Sequence, residues 1–254
     1  MSKMSRGSLA FAAVVLCLGS SGPAAASDAA PAKEVAARAI GTMAGPAWDS
    51  ARYLSFTFNV ERDGKVVVSF PQSWDRETGR YKVSGKTNDG HQFVIVLDVN
   101  TRQGNVLVDG EVPADSAAWL ERGYRRFIND TYWLLMPLKM LDPGTHLEPA
   151  GARTDECGRT WDVVKLTFDE GIGLTPKDQY WPWVNRDTGL VDRWDMLLQG
   201  SKPGDEPSPV HFHRYERFGG LLLSTVRVTQ SGRILLGDIV VSSSVPPGAF
   251  ELKP

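Results

Sequence analysis

"ADSAAWLERGYRRFINDTYWLLMPLKMLDPG", residues Ala114 to Gly144, is the stretch on which the fold turns. Trp119, Leu120, Tyr124, Phe127, Ile128, Thr131 and Leu135 form one stripe at helical spacing, and Glu121, Arg122, Arg125, Arg126 and Asn129 occupy the other face. This is the pattern of an amphipathic helix that docks one face and wets the other. Asp115 is placed as its N-cap. After Thr131 the polar face is lost. Tyr132, Trp133, Leu134, Leu135 and Met136 are apolar all round, and Pro137 breaks or kinks the helix. Left in water, these five residues would expose a contiguous apolar patch larger than monomers usually tolerate. They need an apolar surface to sit in.

Outside this segment the period drops to two. Leu54, Phe56, Phe58 and Val60 alternate with Tyr53, Ser55, Thr57 and Asn59, and "RDGK" after them is a hairpin turn signal. Further strands are predicted over Arg80–Gly85, Gln92–Asp98, Asn105–Val108, Trp161–Phe168, Gln179–Val184, Leu190–Gln199, Val210–Arg217, Leu221–Gln230 and Ile234–Ser242, separated by turns rich in Gly, Asn, Asp and Pro. In "VDRWDMLLQ", Trp194, Met196 and Leu198 share a face opposite Arg193 and Asp195, so one side of the sheet needs an apolar cover. Ahead of the strands, Val35, Ala36, Ala39, Ile40 and Met43 mark a helix over Pro31–Met43, ended by Gly45 and Pro46. The expected fold is mainly β with α: a strongly curved antiparallel sheet, an incomplete β-barrel, wrapped around the central helical insertion and preceded by an N-terminal helix.

The first residues read as a secretory signal peptide, with Lys3 and Arg6, an apolar run from Leu9 to Leu18, and small residues to Ala26. Residues 1–26 are therefore expected to be removed, leaving 27–254 as a single domain in the periplasm or outside the cell. Loss of Lys3 and Arg6 moves the formal charge from -2 to about -4, which offers no basic face to nucleic acid. Cleavage also leaves Cys157 as the single thiol, with no internal disulfide, in a turn whose acidic neighbours do not stabilise a thiolate.

"YWPWVNRDTGLVDRWDM" with its strand, turn, strand pattern, the central "FINDTYWLLMPLKMLDPG" and the closing "VPPGAF" together resemble the LolA/LolB-like lipoprotein carrier superfamily, over nearly the whole mature chain. The resemblance implies a curved sheet whose concave face is lidded by helices and holds acyl chains. The arginine that holds the lid of such carriers by backbone contacts has its nearest positional match in Arg52, just before the first strand.

Chemistry beyond this is sparse. The chain carries no G-x-S-x-G, H-E-x-x-H, C-x-x-C or P-loop motif, so no catalytic residue, metal site or cofactor is expected. His211 and His213 share a strand face without a third ligand fixed by spacing, and His91 and His146 stand alone. Two readings follow. In the first, a hydrophobic ligand such as an acyl chain or lipid binds Tyr132, Trp133, Leu134, Leu135, Met136, Trp181, Trp183 and Trp194. In the second, "YWLLM" is permanent core in a closed structural or envelope-sensor domain that acts through protein–protein contacts. Either way the chain is expected to be a monomer that does not span a membrane.

Overall fold

The computed structural model describes residues 30–253, and the expected signal peptide lies outside them. Helix α1 (Ala32–Met43) and a single turn, α2 (Ala47–Ser50), lead into five strands: β1 (Tyr53–Arg62), β2 (Lys65–Asp75), β3 (Arg80–Lys86), β4 (Gln92–Asp98) and β5 (Gly104–Val108). Helix α3 (Ser116–Leu135) and a 3₁₀ turn (Met136–Lys139) then cross to seven more: β6 (Thr145–Thr154), β7 (Thr160–Phe168), β8 (Gln179–Asn185), β9 (Val191–Leu197), β10 (Ser208–Phe218), β11 (Leu221–Thr229) and β12 (Gly232–Ser242). The twelve strands form one open antiparallel sheet in the order β5-β4-β3-β2-β1-β12-β11-β10-β9-β8-β7-β6. Every neighbouring pair is also adjacent in sequence except β1 and β12.

Two departures from regular pairing mark where the sheet bends. β11 pairs with β12 only from Val226 to Thr229, so the two strands part beyond their turn. In β12, Asp238 takes φ 51° opposite a register shift between Ser55 and Thr57 of β1, and its carboxylate accepts from Thr57 Oγ1 at 2.8 Å. A bulge of this kind increases local twist and curvature. Arg214 in β10 has φ 54°, an uncommon backbone for a non-glycine residue, and lies near the middle of the strand.

The bend divides the interior into two apolar cores. Under α3, Leu54, Phe56, Phe58, Phe70, Tyr81, Ile95 and Leu97 pack with Leu134 and Leu135. Under α1, Val35, Ala36 and Ala39 pack with Val164, Leu166, Tyr180, Trp194 and Phe212, together with Met136 and Met140. Asp115 caps α3 as expected, accepting from Ala118 N at 3.2 Å. Gly123 sets how closely the helix docks, because a Cβ there would lie 2.9 Å from both Ile95 Cγ2 and Leu97 Cδ2. Pro137 falls at the start of the 3₁₀ turn, where α3 gives way.

The sequence pattern missed β6, whose Pro149 and Gly151 coincide with a register shift against β7. It is an edge strand, where a proline removes no ladder bond that the sheet requires. Trp181 and Trp183 also sit otherwise than expected. Tyr180 and Val184 turn into the core, so the alternation of β8 sends both tryptophans to the outer face. There Trp183 stacks edge-on with Trp161 at 6.1 Å, donates to Asp195 Oδ2 at 3.0 Å and lies 4.4 Å below the Arg193 guanidinium. Trp181 lies under Lys165, 5.9 Å from the ammonium.

Candidate ligand-binding cleft

The five apolar residues that close α3 are shared between the two cores. Leu134 and Leu135 belong to the first and Met136 to the second, each no more than 1% exposed. Tyr132 packs on the second core with its ring 5.9 Å from that of Tyr180, and Tyr180 lies 5.9 Å from Trp194. Trp133 is less deeply buried and packs against both cores. It stands on the seam where the sheet bends.

Beyond Trp133 the seam opens into a cleft of about 590 Å³. Val60 of β1, Met196 of β9, Val210 of β10 and Ile234 of β12 line it with Trp133, and Leu198 stands at its edge. The mouth is polar, formed by Glu61 and Arg62, the β9–β10 connection with Asp205 and Glu206, and the β11–β12 turn. Antiparallel pairing brings these turns together, since β1, β9 and β11 all end on the same side of the sheet. The volume lies within the range of small-molecule sites, and an apolar floor under a polar rim is their usual make-up.

Behind Trp133 lies a residue that the sequence pattern did not single out. Arg227 of β11 is fully buried, cross-strand from Phe212 on one side and Ile234 on the other. Its Nη1 donates to Ser224 O at 2.8 Å and its Nη2 to Trp133 O at 3.2 Å, while the guanidinium carbon lies 3.8 Å over the Phe212 ring. The Trp133 carbonyl is among the last four of α3, which have no partner within the helix, so Arg227 caps the helix from the sheet with a cation where the dipole favours one. Loss of solvent lowers the Arg227 pKa to about 10, with Tyr215 nearby acting the other way.

The structure assigns Arg52 differently from the expectation. Its Nε and Nη2 each lie 3.0 Å from the Asp75 carboxylate, its Nη1 also pairs with Glu77, and Asp75 is held down at about 2, chiefly by the Arg52 hydrogen bond. The arginine that touches the central helix backbone is Arg227.

The chain is similar to a LolA superfamily protein. That protein, from Nitrosomonas europaea, shares 8% identity with it at a TM-score of 0.49, over 87% of this chain and 98% of the other. A second likeness is to the MucA/MucB complex structure of Pseudomonas aeruginosa, with 15% identity and a TM-score of 0.24 over 87% and 95% of the two chains. No family model and no curated protein sequence matches the chain. What the cleft can do is read from its own residues.

Elsewhere the polar groups serve local structure. Under α3, Asp130 accepts from Gln72 Nε2 at 2.6 Å and from Asn129 Nδ2 at 2.7 Å, and Tyr81 donates to Gln72 Oε1. Burial raises the Asp130 pKa against the pull of Arg126. His211 and His213 face outward with rings 6.4 Å apart, and burial together with the Arg193 charge lowers the His211 pKa. Among the described residues no three His, Cys, Asp or Glu side chains are grouped to hold a metal ion, and no helix is long and apolar enough to cross a membrane. Cys157 is exposed in its turn.

Proposed function

We propose that this chain is a secreted or periplasmic binding or carrier protein for a hydrophobic ligand, with the acyl part of that ligand in the cleft beside Trp133. The observation that carries the reading is the cleft itself: about 590 Å³ open at the end of a bent sheet, walled by Val60, Met196, Val210 and Ile234 and closed at its inner side by one aromatic ring. A curved sheet leaves a concave apolar face that its own strands do not fill. Here α1 and α3 cover all but the seam between them, and Trp133 is what separates the open part from the packed part.

A second reading, a closed domain acting through protein contacts, is favoured by the burial of Leu134, Leu135 and Met136. These three are core. The carrier reading therefore narrows to Trp133 and the turns around the mouth, without requiring α3 to leave the sheet. Native mass spectrometry of protein purified from the cell envelope tests it. A bound mass removed by organic solvent, with a lower melting temperature afterwards, is the expected result; a ligand-free spectrum and no binding of N-phenylnaphthylamine would overturn it. Hydrogen exchange adds a local check: amides at the β9–β10 connection and around Trp133 should slow on ligand addition, while those of Leu134–Met136 stay slow throughout.

A further inference from the structure

Arg227 lacks what a buried arginine normally has. Cationic side chains are almost never fully buried unless paired, because removing the charge from water is expensive. Yet no carboxylate among the described residues forms an ion pair with Arg227, and its contacts are two backbone carbonyls and the face of Phe212. Its Nε–H is buried with no partner at all. Capping α3 accounts for Nη2 and leaves Nε unexplained. Among the described residues, two of the other four buried polar atoms in the same condition are Tyr132 Oη and Trp194 Nε1. Both residues belong to or pack on the same core, and the Trp194 ring stacks on Phe212 at 6.2 Å, on which Arg227 also rests. The buried carboxylate on this side of the core, Asp178, is engaged by Tyr180 and lies near Tyr132, whereas the positive charge of Arg227 has no carboxylate paired with it.

The position of Arg227 relates this charge to the cleft. Its cross-strand neighbour Ile234 lines the cleft, as does Val210, two residues before its other neighbour Phe212. Trp133, the inner wall, supplies the carbonyl that Nη2 holds. In a guanidinium the Nε–H and one Nη2–H point the same way and form a two-donor edge that matches the two oxygens of a carboxylate. One of these donors is unpartnered here, and the other is engaged only by the Trp133 carbonyl. Loss of the Trp133 carbonyl contact alone would free the whole edge, with α3 still on the sheet.

We propose that the ligand is a long-chain fatty acid, its chain in the cleft and its carboxylate on the Nε–Nη2 edge of Arg227. This deepens the reading of the preceding subsection and rests on it. A single negative charge balances the single buried cation. A phosphate monoester would bring closer to two charges and leave one uncompensated away from water. At the mouth Glu61 is paired with Arg233, and the remaining charges, Arg62, Asp205 and Glu206, leave one net negative charge, which does not favour leaving an anionic headgroup there.

The test is displacement of the uncharged probe N-phenylnaphthylamine by three compounds of equal chain length: palmitate, methyl palmitate and hexadecyl phosphate. Palmitate should compete at least about tenfold better than its methyl ester, as a charge-assisted bidentate contact implies, and better than the phosphate. In Arg227→Met the acid-to-ester ratio should fall to about one. Equal competition by acid and ester in the unmodified protein would overturn the inference while leaving the carrier reading intact. A preference for hexadecyl phosphate would overturn the carboxylate assignment. Failure of the probe and of all three compounds to bind would remove the carrier reading itself. If Arg227→Met does not fold, judged by far-UV circular dichroism, the acid-to-ester ratio of the unmodified protein decides alone.

Discussion

Replacing Trp133 by alanine separates a cleft wall from a closed core. A buried tryptophan removes roughly 150–250 Å² from water, and at about 25 cal/mol per Å² the larger part of that area is worth ~4 kcal/mol before the alanine's own share is returned. Closed-core Trp→Ala changes cost about 3–5 kcal/mol because a sealed void is left as well. Here the space vacated by the indole joins the existing cleft rather than forming a void, so the expected loss is about 2–3 kcal/mol. For a chain of this size that corresponds to a fall in melting temperature of roughly 4–12 °C. Urea unfolding followed by far-UV circular dichroism gives the energy, and N-phenylnaphthylamine titration of the same variant gives the second readout, an affinity changed by about threefold or more. A loss well above 4 kcal/mol with unchanged probe binding would refute the reasoning, since Trp133 would then be sealed core and the cleft irrelevant to ligand.

Three further perturbations follow from the geometry. Gly123→Val puts a β-branched side chain where even a Cβ lies 2.9 Å from Ile95 and Leu97; overpacking there should cost about 1–3 kcal/mol and speed amide exchange along α3, and unaltered exchange would contradict the docking described. Because burial raises the Asp130 pKa, its ionised form weakens the fold: the folded state binds the proton more tightly than the unfolded one, so the contribution of Asp130 to stability is lost as pH rises through its folded pKa. Asp130→Asn should therefore be the more stable form at pH 8, with the gap in urea midpoint narrowing toward pH 5; a gap that widens on acidification would be wrong for a raised pKa. Asp75, held down at about 2 by Arg52, works in the opposite sense: it contributes stability above its unfolded pKa and loses it as pH falls toward about 2. Asp75→Asn should cost about 1–2 kcal/mol at neutral pH, reduced by the water that reaches Arg52, and nothing near pH 2; an equal cost at both pH values would assign the effect to packing.

Most of the sheet was legible because each strand buries one side. The alternation around Leu54–Val60 and the turn chemistry between segments place ten of the twelve strands of the structure to within a few residues, and the "RDGK" turn implies β2 without giving its range. β6 escaped because "THLEPAGART" has few apolar residues, as an edge strand exposed on its flank can. In the cleft, the loss of a polar face after Thr131 singled out Tyr132 to Met136, and of these the structure places Trp133 in the cleft wall. The parity of "YWPWV" was not readable, since aromatic residues occupy both alternating sets and only the packing of Tyr180 and Val184 decides which set is inside. Arg227 was invisible for a different reason. In "STVRVTQ" a cation among small and β-branched residues reads as a water-facing position, and its burial depends on Phe212, Ile234 and Trp133, all distant in sequence.

The strand order also dictates how the chain can assemble. Eleven neighbouring relationships join the twelve strands, and ten of them link consecutive strands; the remaining one, β1 with β12, joins residues about 180 positions apart, from Tyr53↔Ser242 to Glu61↔Arg233. Nine pairings can zip up as the chain becomes available, and the two that involve β12 wait for it; of these, β1 with β12 carries the loop-closure delay that distant contacts impose. Until β12 arrives, β1 presents an unpaired edge in the middle of what will become the sheet, and the cleft, which needs Val60 from β1 and Ile234 from β12, does not exist. An emerging chain thus has no cleft before β12 is in place, and the β1 edge is exposed to other chains for as long as that takes.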